Sequence, residues 1–161
     1  MLIPFDELPQ ESRVWIYQSN RKFTPEEIVS LQSKLDEFLK KWTAHGANLQ
    51  AGAEIKYEYF IVIGLDQNRN AASGCSIDAQ VHFIQELEQD LNIELLDKMN
   101  VTYIQNERVH HKALLEFKKM AKDGAVGKST TVFNNLVNTK EEYLNHWEVP
   151  AIESWHSRFF K

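Results

Sequence analysis

The sequence predicts an α+β (or small α/β) fold in a single domain, with a central mixed sheet of three to five strands packed with about five helices. Three observations lead there. Apolar residues recur at helical spacing in two long stretches, 24–45 and 75–91. Runs rich in β-branched and aromatic residues, at 14–17, 55–66 and 101–104, read as strands. The 161 residues are 43% hydrophobic and 25% charged, which suits one packed core and is too apolar for a disordered chain.

Taken in order, the lead-in through Pro9 offers Leu2, Ile3, Phe5 and Leu8 for packing. The segment 12–20 reads as a strand that turns polar at Gln18, Ser19, Asn20 and Arg21. Thr24, Pro25 and Glu27 then form the start signal of a helix: an N-cap, a first-turn proline and a capping-box carboxylate. Ile28, Leu31, Leu35, Phe38, Leu39 and Trp42 make its buried stripe, and Lys34, Asp36, Glu37, Lys40 and Lys41 its solvated faces. The helix is expected to stop near His45-Gly46, where glycine can adopt a left-handed conformation. His45 there reads either as a cap favoured by the helix dipole or as a catalytic base.

Residues 47–53 read as a loop, and 55–66 as a strand whose apolar run at 59–63 suggests a central position. A turn rich in Asn, Ala, Ser and Gly leads to a second helix with Ile77, Val81, Ile84, Leu87 and Leu91 on one face, ending by Asn92. Strands are expected at 101–104 and 108–111. A short helix follows through Leu114, Leu115, Phe117 and Met120, closed by Gly124. A short strand at 130–133 precedes a helix begun by Asn138 and Glu141 and carrying Tyr143, Leu144 and Trp147. Pro150 starts a last helix over 151–160. Two strand–helix–strand passages, 14–62 and 59–104, would form parallel neighbours with a ligand site beyond the strand ends, bringing 18–21 and 67–78 to one edge. The third strand and the carboxy-terminal elements could instead pair antiparallel.

Charge and composition exclude several partners. A formal net charge of −5 argues against capture of nucleic acid or anionic membrane. No apolar run approaches the roughly 20 residues of a membrane span, and no signal peptide is evident, so a soluble cytoplasmic protein is expected. The one cysteine forms no internal disulfide and no cysteine-rich zinc site. His110 and His111 are adjacent, so on a strand they face opposite ways. No metal and no cofactor is expected.

The candidate site lies at the strand–turn–helix junction 66–78. Ser73, Gly74, Ser76 and Asp78 open the second helix, whose start exposes donors to an anion or a small polar ligand. Gln18, Asn20 and Arg21 would join them from the first strand's tip, with Arg69 a further source of charge. An alternative is a cysteine-dependent enzyme, because a helix start stabilises a thiolate at Cys75. Its base would be His45, His82 or His156, oriented by Asp66 or Asp78. A third reading is a protein-interaction module or homodimer built on Trp147, Trp155, His156, Arg158, Phe159 and Phe160, which have the composition of an interface hot spot.

One phosphate motif is nearly present. Gly127-Lys128-Ser129-Thr130 ends like a Walker A loop, but the leading glycine would fall at Lys122, and the preceding segment reads as helix. The stretch 61–66 has the look of a Walker B strand, with Gln67 where glutamate is needed and in reversed chain order. Four segments carry a resemblance: 12–24 from Ser12 through Trp15 to Thr24, Trp42 to Gly46, Ala72 to Asp78, and Trp155 to Phe160. Together they resemble an uncharacterised bacterial family of short proteins whose members carry the label "ABC transporter ATPase". The resemblance covers nearly the whole chain. The label implies ATP hydrolysis coupled to transport, whereas the residues lack a spaced Walker A and an LSGGQ-type loop. The resemblance supplies no catalytic residues.

Overall fold

The computed structural model describes all residues, Met1–Lys161. The fold is α+β, and every pairing between its strands is antiparallel. The chain divides into two compact units, Met1–Leu96 with Asn138–Glu141, and Asp97–Val137 with Glu142–Lys161.

In the first unit, β1 (Arg13–Gln18) is followed by α1 (Pro25–Lys41), a small hairpin of β2 (Thr43–Ala44) and β3 (Ala47–Asn48), then β4 (Gln50–Lys56), β5 (Phe60–Asp66) and α2 (Gly74–Leu91). The strand order is β1-β5-β4. Both neighbours run antiparallel to β5, so β1 and β5 are not the parallel pair that a strand–helix–strand reading suggests. A strand that the sequence disguised is responsible. Residues 47–53 read as a loop, yet 50–56 form β4, and a turn at Tyr57 and Glu58, both at positive φ, folds it back onto β5.

The low β-propensity of Ala51, Gly52 and Ala53 has a packing cause. The lead-in lies along this strand: the Ile3 amide donates to the Ala51 carbonyl at 2.8 Å, and the Ala51 amide to the Met1 carbonyl at 3.1 Å. A Cβ at Gly52 would sit 2.1 Å from the Ile3 carbonyl oxygen. Only glycine permits this approach. On β1's outer side, the Val14 amide donates to the Asn138 carbonyl. The buried Lys140 ammonium donates to the carbonyls of Asp6 and Leu8 at 3.0 and 2.7 Å.

α1 and α2 pack with β5 into one core. Leu35, Leu39, Ile61, Ile63 and Leu65 are fully buried there, together with Leu31 and Leu87. Truncating such a leucine typically costs about 2–5 kcal/mol. α1 starts with the expected capping box of Thr24 and Glu27. The buried stripe of α2 is rotated from the expected one: Ser76, Gln80, Ile84 and Leu87 face inward. Two polar side chains are accepted there because each has a task. The Ser76 hydroxyl closes the helix cap, and the Tyr17 phenol donates to the Gln80 side-chain carbonyl. Burial pushes that phenol up to about 12.

In the second unit, β6 (Asn100–Gln105), β7 (Arg108–Ala113), β8 (Thr131–Phe133) and β9 (Glu148–Pro150) form a sheet of order β7-β6-β8-β9. α3 (Leu114–Lys122) sets Phe117 against Tyr103, Val101 and Val132. α4 spans Lys140–His146, its first two residues belonging to the first unit and the rest to the second. The expected last helix is instead two 3₁₀ segments, Ala151–Glu153 and Trp155–Phe160, because Ser154 between them is extended and caps the second. Phe159 and Phe160 meet the Phe117 ring at 5.7 and 6.5 Å. The aromatic tail thus lies against the core of its own unit.

Gly52→Ala is expected to lower unfolding stability by about 2 kcal/mol or more in urea titration, since the clash is with backbone. Gly74→Ala, whose Cβ would meet nothing within 4 Å, is expected to stay within about 0.5 kcal/mol of the parent. Equal effects at the two sites would contradict the close approach of the lead-in to β4.

Candidate functional site

The junction after β5 is ordered by its own polar residues. The Asn68 amide donates to Asp66 Oδ1 at 2.9 Å, Asn68 Nδ2 to Glu11 Oε1 at 3.0 Å, and Asn70 Nδ2 to the Asn48 carbonyl at 3.2 Å. Ser73 and Ser76 then cap α2 reciprocally. The Ser76 amide donates to Ser73 Oγ at 3.1 Å and the Ser73 amide to Ser76 Oγ at 2.6 Å. Gly74 and Cys75 occupy the first two helical positions and are exposed. Their amides carry the partial positive charge of the helix start. Cys75 is a free, exposed cysteine. Asp78, one turn on, is also exposed.

His45 reaches the same place by a route the sequence did not show. α1 ends at Lys41, with Trp42 already extended as its cap. His45 (φ 51) and Gly46 (φ 79) form the two-residue turn of the β2–β3 hairpin. Positive φ at both positions is the primed-turn geometry whose twist suits a tight hairpin. The expected role of His45 as a helix-end cap is therefore corrected: it belongs to a hairpin tip.

α1 and α2 run antiparallel. The Trp42 indole N–H donates to the Ser76 carbonyl at 2.8 Å, and Lys34 meets Asp90 at 3.2 Å farther along. Between these ties Phe38 and Phe83 stack with ring centroids 4.4 Å apart and nearly parallel planes. A groove of about 680 Å³ follows the seam. Phe38, Phe83 and Trp42 are among the residues that line it, with Lys41, His45, Ser73 and Cys75 at one end. The size lies within the range of small-molecule sites. No hydrogen bond joins the Cys75 thiol to His45. The structure thus brings together Cys75, His45, Ser73 and Ser76. Sequence reading missed Lys41 and Phe83 as lining residues and placed Phe38 only in a core stripe. Helical spacing assigns a face, but not the neighbour that the face meets.

Gln18, Asn20 and Arg21 do not join this group. Because β1 is antiparallel to β5, Gln18 pairs with Phe60 at the start of β5, while the junction follows its end. Gln18 is buried. Asn20 exchanges hydrogen bonds with the backbone of Glu94. Arg21 clamps the start of α1 to the end of α2: its guanidinium meets both Glu27 carboxylate oxygens at 2.7 Å and the Leu91 carbonyl at 2.9 Å. With about 1.5 Å of rise per residue, the sixteen residues of α2 from Cys75 to Leu91 put roughly 24 Å between this clamp and Cys75.

The other sequence candidates lie elsewhere. His82 faces Glu86 along α2 at 3.3 Å. His156 is buried in the second unit with Ser154 Oγ 2.5 Å from its Nδ1, and burial, then the nearby Arg158, lowers its pKa to about 4. The Gly127–Thr130 segment is closed on itself. The Gly127 amide donates to Thr130 Oγ1 at 2.8 Å, and the Thr130 amide returns to the Gly127 carbonyl at 3.1 Å. α3 precedes it where a phosphate-binding loop needs a strand. No group of three or more His, Cys, Asp or Glu is placed to hold a metal ion, and no helix is long and apolar enough to cross a membrane. No family model, curated protein or solved structure matches the chain.

The clamp has a measurable pH signature. The Arg21 guanidinium, then the Thr24 amide, hold the Glu27 carboxyl down at about 2. A depressed carboxyl stabilises the fold above its unfolded value, and that contribution disappears as pH falls through the folded one. Arg21→Met is expected to cost about 1 kcal/mol at neutral pH, modest because Arg21 is 41% exposed. The gap between variant and parent is expected to shrink between pH 4.5 and about 2, leaving only the share of the Leu91 hydrogen bond. A gap of constant size over that range would exclude the ion pair as a contributor.

Proposed function

We propose that the chain is a binding domain for a small anionic ligand with an apolar body, held in the α1–α2 groove of the first unit. The single observation that carries this reading is the composition of that groove. Stacked Phe38 and Phe83 floor it beside Trp42, and one end collects Lys41, His45 and the exposed first turn of α2. An apolar body replaces water on the aromatic floor, at roughly 25 cal/mol for each Å² of apolar surface removed from water. A carboxylate or phosphate meets the Cys75 amide at the helix start, with Lys41 turning from its exposed pair with Glu37, 3.6 Å away, to add charge. The self-closed Gly127–Thr130 turn weighs against ATP hydrolysis by a Walker loop.

The test is a thermal-shift screen with inorganic phosphate, nucleotides, and aromatic and alkyl carboxylates, since a ligand of the native state raises the midpoint. Carboxylates with an apolar body are expected to raise it, and Lys41→Met to weaken their binding by about fivefold, the size of one exposed ion pair. If no anion shifts the midpoint, the reading fails.

A second reading, a cysteine-dependent enzyme, draws on a different observation: Cys75 is exposed and shares one end of the groove with His45. In this reading His45 takes the thiol proton as Cys75 attacks. His45→Asn is then expected to slow alkylation of Cys75 by iodoacetamide severalfold at neutral pH. An unchanged rate would remove His45 from the chemistry.

A further inference from the structure

We infer that the outer face of α3 docks on an anionic membrane surface, Leu115 entering its apolar boundary while Lys118, Lys119 and Lys122 meet lipid phosphates. The surface belongs to the second unit alone and is independent of the groove. The net charge of −5 is unevenly placed. Residues 97–137 hold seven Lys and Arg against four Asp and Glu, and the rest of the chain eleven against nineteen. A bilayer meets one face of a protein, not its average charge. Phe117, Met120 and Ala121 turn one side of α3 to the core. At about 100° per residue, Leu115, Lys118, Lys119 and Lys122 share the opposite side, and all four are exposed. Leu115 is 76% exposed. Met99, 63% exposed, is set beside the first turn of α3 by the Leu114 amide, which donates to its carbonyl at 3.0 Å.

The lysines of this face are uncommitted. Lys22, Lys34 and Lys41 of the first unit each face a carboxylate, at 3.0, 3.2 and 3.6 Å. Lys118, Lys119 and Lys122 have no such partner. The acids of this helix end, Glu116 and Asp123, stand on its flank, about 80–100° round from Leu115. Asp97, next to exposed Lys98, accepts the Met99 amide at 2.9 Å. The helix dipole accounts for lysines in the last turn, but not for a leucine held in water on their face. Val29 on α1, also well exposed, has Glu26 and Asp36 as its same-face charges within two turns. A nucleic-acid duplex would pair the lysines and leave Leu115 in water. A stable protein partner needs about 800 Å² on each side, far more than one leucine and one methionine supply. An anionic bilayer offers phosphates and an apolar layer at adjoining depths and demands no matching shape.

The experiment co-sediments the full chain with vesicles of phosphatidylcholine, alone or mixed with phosphatidylserine. Binding to the mixed vesicles is expected to be at least about tenfold tighter than to the neutral ones, and to weaken as salt rises. Lys118→Gln, Lys119→Gln and Lys122→Gln together are expected to weaken it about a hundredfold, at about fivefold for each lysine. Leu115→Ser is expected to weaken it about fivefold and to leave the salt dependence as it was. Val29→Ser, an equally exposed change on α1, is expected to leave binding unaltered. All these positions face solvent, and an unchanged thermal midpoint verifies that each variant is folded. No binding to either vesicle, or equal binding to both, overturns the inference. Binding that survives the three lysine changes overturns it as well. Binding that ignores Leu115→Ser and is matched by a duplex oligonucleotide replaces the membrane with a plain polyanion, and overturns it too.

Discussion

The first unit depends on the antiparallel seam between α1 and α2 above β5. One hydrogen bond registers it: the Trp42 indole donates to the Ser76 carbonyl, tying the end of one helix to the first turn of the other. The bond is buried, so breaking it would leave a polar group without water, at a cost of about 1–3 kcal/mol. This contact places the β2–β3 hairpin beside the α2 start. His45 and Cys75, thirty residues apart in sequence, share a groove for that reason.

The seam is held differently at its two ends. Near Cys75 the tie is a buried side chain bonded to backbone, and the neighbouring first-turn positions of α2 face solvent. At the far end the ties are exposed ion pairs, and Arg21 braces the two helix termini. Exposed pairs contribute little individually and exchange partners readily. The seam thus has a stacked aromatic middle, a buried hydrogen bond at one end and an exposed ion pair at the other.

Much of the fold was legible. The Thr24–Glu27 capping box, the α1 stripe and the central β5 follow from local chemistry and period, and each is where the spacing put it. The junction from Asp66 to Ser76 was legible for the same reason, since small polar residues leading an apolar pattern mark a helix start. β4 was not legible, because its Ala-Gly-Ala core serves the close approach of another segment and not intrinsic strand preference. The His45-Gly46 turn was read as a helix end because both structures use a left-handed glycine. Inward-facing Gln80 was missed because its partner, Tyr17, is 63 residues away.

By itself the sequence determined the class of fold, most of its elements and the Cys75 turn as a candidate site, since these depend on neighbours within a few residues. Tertiary structure decided which candidates meet. The antiparallel pairing of β1 with β5 sends Gln18, Asn20 and Arg21 to the far end of α2. The α1–α2 seam brings His45, Lys41 and two phenylalanines to the near end and the middle. The physical reason is that strand direction and helix register are set by long-range hydrogen bonds and burial, and local spacing is the same for either outcome.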